Sequence, residues 1–147
     1  MREEIYQISA KRSAKIFEFV SEGPKGLIKK RIVYEDTKIE GLYNLAFGDV
    51  DFTTDDFDDK VISDNKDAAK VLATVAQTVF IFLETYPNAA IRAKGSNLAR
   101  TRLYRIGISS NLEEISKKFD IYGLLEGIGW VDYEKNKNYS AFLIKNK

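Results

Sequence analysis

Polar and apolar positions alternate over Ala14–Ser21. Ile16, Glu18 and Val20 fall on one side and Phe17 and Phe19 on the other, the period of a half-buried strand. Gly23-Pro24-Lys25-Gly26 supplies turn chemistry, and Ile28–Glu35 resumes the alternation, with Ile28, Ile32 and Tyr34 opposite Lys29, Arg31 and Val33. Together they predict a hairpin, with Tyr6–Ser9 as a short earlier strand. After a polar loop at Glu35–Glu40, Gly41–Asp51 reads as a third strand. Tyr43, Leu45 and Phe47 share one face; Leu42, Asn44, Ala46 and Gly48 share the other, and their small size predicts a close neighbour there. Asp49–Asp59 reads as a solvated acidic turn leading into Lys60–Ser63.

The period then changes to three and four. Over Asp64–Tyr86 the positions Ala68, Leu72, Val75, Val79, Phe82 and Tyr86 line one face, widened by Ala69, Ala76, Phe80 and Leu83. The polar stripe is narrow, so this helix is mostly buried across a sheet. Asp64 or Asn65 is its expected cap, and Pro87 ends it. Ala89–Lys94 is a short strand, and a second helix opens at Ser96, its expected N-cap, with Ala99, Leu103 and Ile106 as its apolar side. Ile108, Leu112, Ile115 and Phe119 form another stripe pointing nearly the opposite way. The switch, at Gly107 and Ser109-Ser110-Asn111, predicts a helix pair with a capping box from Ser110 and Glu113 or from Asn111 and Glu114. Phe119–Leu125, Ile128–Tyr133 and Tyr139–Ile144 read as closing strands, separated by a bend at Glu126-Gly127 and a polar turn at Glu134–Asn138. This order predicts an α+β fold: a single domain over residues 1–147, with an antiparallel or mixed sheet packed against one long helix and a shorter helix pair.

Composition narrows the chemistry. The chain has 147 residues, 44% apolar and 31% charged, with a net charge of +1. That length buries a core without staples, and the charge gives no global pull on nucleic acid. With no cysteine there is no disulfide or thiolate chemistry, which fits a cytoplasmic setting. No histidine means no Ser-His-Asp or Cys-His catalysis and no common zinc site. The first residues carry no apolar leader, and no stretch approaches the roughly 18 uninterrupted apolar residues of a membrane span. No cofactor and no membrane partner are expected.

Charge is segregated locally. Between Ala89 and Ile106 there are five cations and no acid. Lys94, Gly95 and Ser96 at a strand–helix junction, followed by Arg100, Arg102 and Arg105, make a sensible oxyanion site: glycine admits close approach, a helix N-terminus favours an anion, and guanidinium forks match phosphate. Neither G-x-x-x-x-G-K-[ST] nor G-x-G-x-x-G is present. Helical geometry sets Arg102 and Arg105 close together and turns Arg100 away beside Tyr104. The expected ligand is a phosphate-containing molecule or nucleic acid, bound by a small module rather than turned over by an enzyme. The eight aspartates of Asp49–Asp67 offer an alternative: they brace the arginine helix, within the chain or across a homodimer. A further alternative is a metal-dependent nuclease or phosphodiesterase using Asp49, Asp51 and Asp58 with Lys60. An EF-hand loop fails, because Thr54 and Lys60 stand where Gly and Glu are needed.

At Tyr43-Asn44-Leu45-Ala46-Phe47-Gly48-Asp49, at Gly95-Ser96-x-x-Ala99-Arg100-Thr101-Arg102-Leu103-Tyr104-Arg105 and at Phe119–Gly123, the chain resembles a family of short bacterial proteins of unknown function. The likeness runs from about Tyr43 to the C-terminus. It implies a bacterial origin and a common domain and transfers no mechanism.

Overall fold

The computed structural model describes residues 4–60 and 63–147. Met1–Glu3, within the first residues for which no apolar leader was expected, and Val61 and Ile62 within Lys60–Ser63, lie outside the described residues. Among the described residues, nine strands and three helices follow in order: β1 (Ser9–Lys11), β2 (Ile16–Gly23), β3 (Gly26–Asp36), β4 (Leu42–Val50), β5 (Phe57–Asp58), α1 (Ala68–Thr85), β6 (Ala90–Ala93), α2 (Leu98–Ser110), α3 (Leu112–Lys118), β7 (Phe119–Leu125), β8 (Gly129–Asp132) and β9 (Phe142–Asn146). The fold is α+β with a mixed sheet in the order β1-β2-β3-β4-β6-β9-β7-β8, and β5 adds a short pairing to β4. Among the described pairings, β4–β6 is parallel and the others are antiparallel. That parallel pair needs a crossover, which α1 supplies.

The hairpin forms as its alternation dictates, closing at the Gly23–Gly26 pair with Gly26 at φ +88°. Phe17, Phe19, Ile32, Tyr34, Leu45 and Phe47 turn to one side and are buried under α1. The aromatic rings interlock there: Tyr34 stacks on Phe82 at 4.2 Å and meets Phe17 edge-on at 5.9 Å. Leu45, Ala93 and Ile144 of the same sheet face line a small apolar void with residues of α1, α2 and α3, so all three helices lie on that face. α1 is long and apolar enough to cross a bilayer by length and composition. Here nine of its side chains are buried, and it serves as the core helix.

Several local expectations are corrected. The first strand is Ser9–Lys11 rather than Tyr6–Ser9, because Tyr6 instead enters the core, where its N–H donates to the Thr74 hydroxyl at 2.9 Å. α1 starts at Ala68, after Lys66 at φ +58° breaks any earlier helical turn. Asn65 is buried and does not cap: its amide donates to Ser21 Oγ and the Gly26 carbonyl, and its Oδ1 accepts from the Lys25 N–H at 2.7 Å, pinning the hairpin. The helix pair breaks at Asn111, inside the expected join at Gly107–Asn111, but no side-chain capping bond forms there. Asn111 turns its amide back to the Gly107 carbonyl at 2.8 Å. Finally, the acidic turn contains β5, and a side chain at Gly48 would overlap the Asp58 carbonyl. The close neighbour predicted for the small face of β4 is therefore the acidic segment itself.

Candidate functional site

The strand–glycine–helix junction is the part of the sequence richest in candidate chemistry, and each of its residues has a distinct position. Asn97, extended at φ −151°, is the N-cap of α2, with its Oδ1 accepting from the Arg100 N–H at 2.9 Å. The cap is thus not Ser96 as expected: Ser96 stands one residue earlier and its hydroxyl donates to the Asp59 carbonyl at 2.8 Å. The Gly95 N–H donates to the Thr101 hydroxyl at 3.0 Å, and a side chain at Gly95 would overlap the backbone of Arg100 and Thr101. This glycine lets the first turn of α2 fold back on the strand end, and its open side is already filled.

The arginines divide between two environments. The buried face of α2 is Arg100, Thr101, Tyr104 and Ile108, whereas Ala99 and Ile106 face solvent and Leu103 is half-buried. The apolar stripe expected from Ala99, Leu103 and Ile106 is thus overturned. Arg100 is 2% exposed; its Nη2 donates to the Phe47 carbonyl and its guanidinium lies 5.1 Å over the Phe47 ring. Beside it, burial pushes the Tyr104 hydroxyl pKa up to about 12. The Phe47 carbonyl lies between the β4 residues paired to β6, Leu42–Leu45, and those paired to β5, Asp49–Val50. A gap in the ladder leaves a buried acceptor, and a buried acceptor demands a donor.

Lys94, Arg102 and Arg105 lie elsewhere. They line an open groove of about 750 Å³ between the first half of α2 and the loops flanking β8, with Leu98, Glu126, Asn138 and Ser140 also on its walls. Lys94 and Arg102 are exposed and Arg105 is half-buried. Leu98, 89% exposed, stands at its rim. One wall is held to the helix by Tyr133, whose hydroxyl is 2.5 Å from Ser109 Oγ. Among the described residues, no carboxylate comes within ion-pair distance of these three cations.

The acidic segment pairs with the Lys29–Arg31 run of β3 instead. Asp49 binds Lys30 Nζ at 2.5 Å, and Asp55 meets Arg31 at 2.7 Å and Lys29 at 3.6 Å. Arg31 also reaches Glu18 at 2.6 Å, and Lys11 meets Glu18 at 2.7 Å. Burial would raise the Glu18 carboxyl, but Lys11 and Arg31 outweigh it and hold the group below its ordinary value. Neither Lys30 nor Glu18 is among the residues singled out from the sequence, although strict alternation puts Lys30 on the Ile28–Tyr34 face and Glu18 between Ile16 and Val20, a signal of charges inside strands. What the acidic segment gives α2 is backbone: the Asp59 and Lys60 carbonyls accept from Ser96 and Asn97. Asp49 and Asp58 are cross-strand partners on β4 and β5, but with Asp51 they do not make one site. Asp51 accepts the N–H groups of Thr53 and Thr54, Asp58 accepts from the Lys60 N–H, and among the described residues no three metal-ligating side chains form an ion-sized group.

A family sequence pattern, described as a family of unknown function, matches residues 2–147. The chain belongs to DUF6934. Comparison with curated proteins and with solved structures gives no match. In this DUF6934 chain the segments that carried the resemblance have separate places: Tyr43–Asp49 lies within β4, Gly95–Arg105 forms the entry to α2, and Phe119–Gly123 opens β7. The first two meet where Arg100 reaches Phe47. The most distinctive run of the sequence is therefore tied in part to holding β4 and α2 together.

Proposed function

We propose that this DUF6934 chain is a small binding module whose ligand carries phosphate or a comparable oxyanion, seated in the groove between α2 and the loops flanking β8. One observation carries the reading: Lys94, Arg102 and Arg105 share this groove with no carboxylate paired to them among the described residues. Of the six candidates, Gly95, Ser96 and Arg100 are taken up by the fold. Arg102 and Arg105, three apart on one helix, present two guanidinium forks from one side. The groove falls within the roughly 300–1,000 Å³ typical of ligand sites, which favours a nucleotide-sized molecule over a lone phosphate. Leu98 offers apolar contact for the part of the ligand that is not charged. A bacterial, cytoplasmic setting belongs to the same reading.

The test is a thermal melt with inorganic phosphate, a mononucleotide and a short single-stranded oligonucleotide as probes. At least one raises Tm at low salt, and the rise shrinks at high salt. Arg102→Ala with Arg105→Ala leaves the ligand-free Tm near wild type and removes the rise. A shift that survives both substitutions, or none with any probe, overturns the proposal.

A further inference from the structure

The sheet face opposite the helices is treated unequally along its width. Over β2–β4 the acidic segment crosses it, with Asp55 on Arg31 and the Phe57 ring 6.0 Å from the Arg31 guanidinium. Over β6, β9, β7 and β8, among the described residues, no helix packs on it. Register fixes the rows there. Asp132, Tyr122, Leu143 and Arg92 are consecutive neighbours across β8, β7, β9 and β6, and Asp120 sits beside Lys145 in the next row. The centre is apolar, and Trp130, beside Leu124, is 43% exposed. Two acids and two cations frame it, and among the described residues none of the four forms an ion pair within the chain. Lys145 lies 5.9 Å over the Tyr122 ring, and Arg92 donates to Asn44 Oδ1 at 2.8 Å.

We infer that this face binds a second copy of the chain, sheet on sheet, about a two-fold axis running along the strands between β7 and β9. That operation exchanges β7 with β9 and β8 with β6. It sets Asp120 over Lys145, Asp132 over Arg92 and Tyr122 over Leu143, each twice. The charge pattern singles out a second copy over other occupants. The four charges cancel, so neither an acidic nor a basic partner is favoured, and each sign lies where a two-fold brings the other. Facing sheets pack about 10 Å apart with strands within about 30° of alignment. The Asp120–Lys145 and Tyr122–Leu143 pairs lie next to the axis, where sheet twist separates facing residues least. This inference is independent of the anion groove, and it assigns self-association to the sheet face rather than to the acidic and basic segments.

Sedimentation over a dilution series tests it, with Asp120→Lys and Lys145→Asp made singly and together and circular dichroism checking the fold. Wild type sediments as a dimer. Each single reversal faces like charges across the axis and gives monomer, and the double reversal restores the dimer. Tyr122→Glu, at the apolar centre, also gives monomer and provides a reading if a charge variant misfolds. A wild type that stays monomeric at every concentration leaves the face to a different partner and overturns the inference. So does a dimer indifferent to the folded single variants, or a folded double variant that stays monomeric.

Discussion

Arg100 and Arg102 stand two positions apart and do opposite things. Arg100 is inside, donating to a strand carbonyl that the sheet leaves without a neighbour, and Arg102 is outside on the groove. A buried guanidinium is costly to desolvate, and its removal leaves the Phe47 acceptor short of a donor. Arg100→Ala is therefore expected to destabilise the fold by about 1–3 kcal/mol, the cost of an unmet buried hydrogen-bonding group, with lost packing on Phe47 added. Arg102→Ala is expected to stay within about 0.5 kcal/mol of wild type, as surface changes do. Urea unfolding midpoints at constant slope separate the two. Equal midpoints for both variants would remove Arg100 from its structural role.

At the scale of elements, α2 carries the largest correction. Its local pattern offers Ala99, Leu103 and Ile106 as an apolar side, but the fold buries Arg100, Thr101, Tyr104 and Ile108. The reason lies some fifty residues away in sequence, at a β4 carbonyl that no window along α2 contains. The same limit applies to Asn65, a sound cap by composition that is spent on the hairpin at Ser21, Lys25 and Gly26. Where an element's partners are adjacent or its burial is two-sided, the pattern suffices: the β2–β3 hairpin, the core face of β4 and β7 all follow from period and turn chemistry. Of the anion candidates, alternation on a helix separated Arg100 from Arg102 and Arg105, but the self-satisfied state of Gly95 and Ser96 depends on Thr101 and Asp59 in three dimensions. The cap itself is testable. Asn97→Ala should lower stability by about 1 kcal/mol. Ser96→Ala, whose hydroxyl is exposed, should cost less, and calorimetric melting that reverses this order would return the cap to Ser96.

For the whole molecule, composition and burial together set the pH range of stability. With no histidine and no cysteine, no side chain has an ordinary pKa between roughly 5 and 10. On the acid side, Glu18 is held low by Lys11 and Arg31 against the opposing effect of burial, and Asp55 is held low by Arg31. A carboxyl whose folded value lies below its unfolded one stabilises the fold above the ordinary carboxylate range. That contribution disappears as pH falls through the folded value. On the alkaline side, burial raises the phenols of Tyr34 and Tyr104, the latter to about 12. Below about pH 10 both folded and unfolded chains keep these protons; above it the unfolded chain ionises first, and stability falls as pH rises. Tm should therefore be flat from about pH 6 to 9, with a carboxylate limb below and a tyrosine limb above. Glu18→Gln should flatten the acid limb, and Tyr104→Phe should soften the alkaline one. A step in Tm inside the plateau, or an acid limb unchanged in Glu18→Gln, would show that the ion-pair cluster on β2 and β3 does not govern acid stability, leaving the fully exposed turn carboxylates such as Asp51 to account for it.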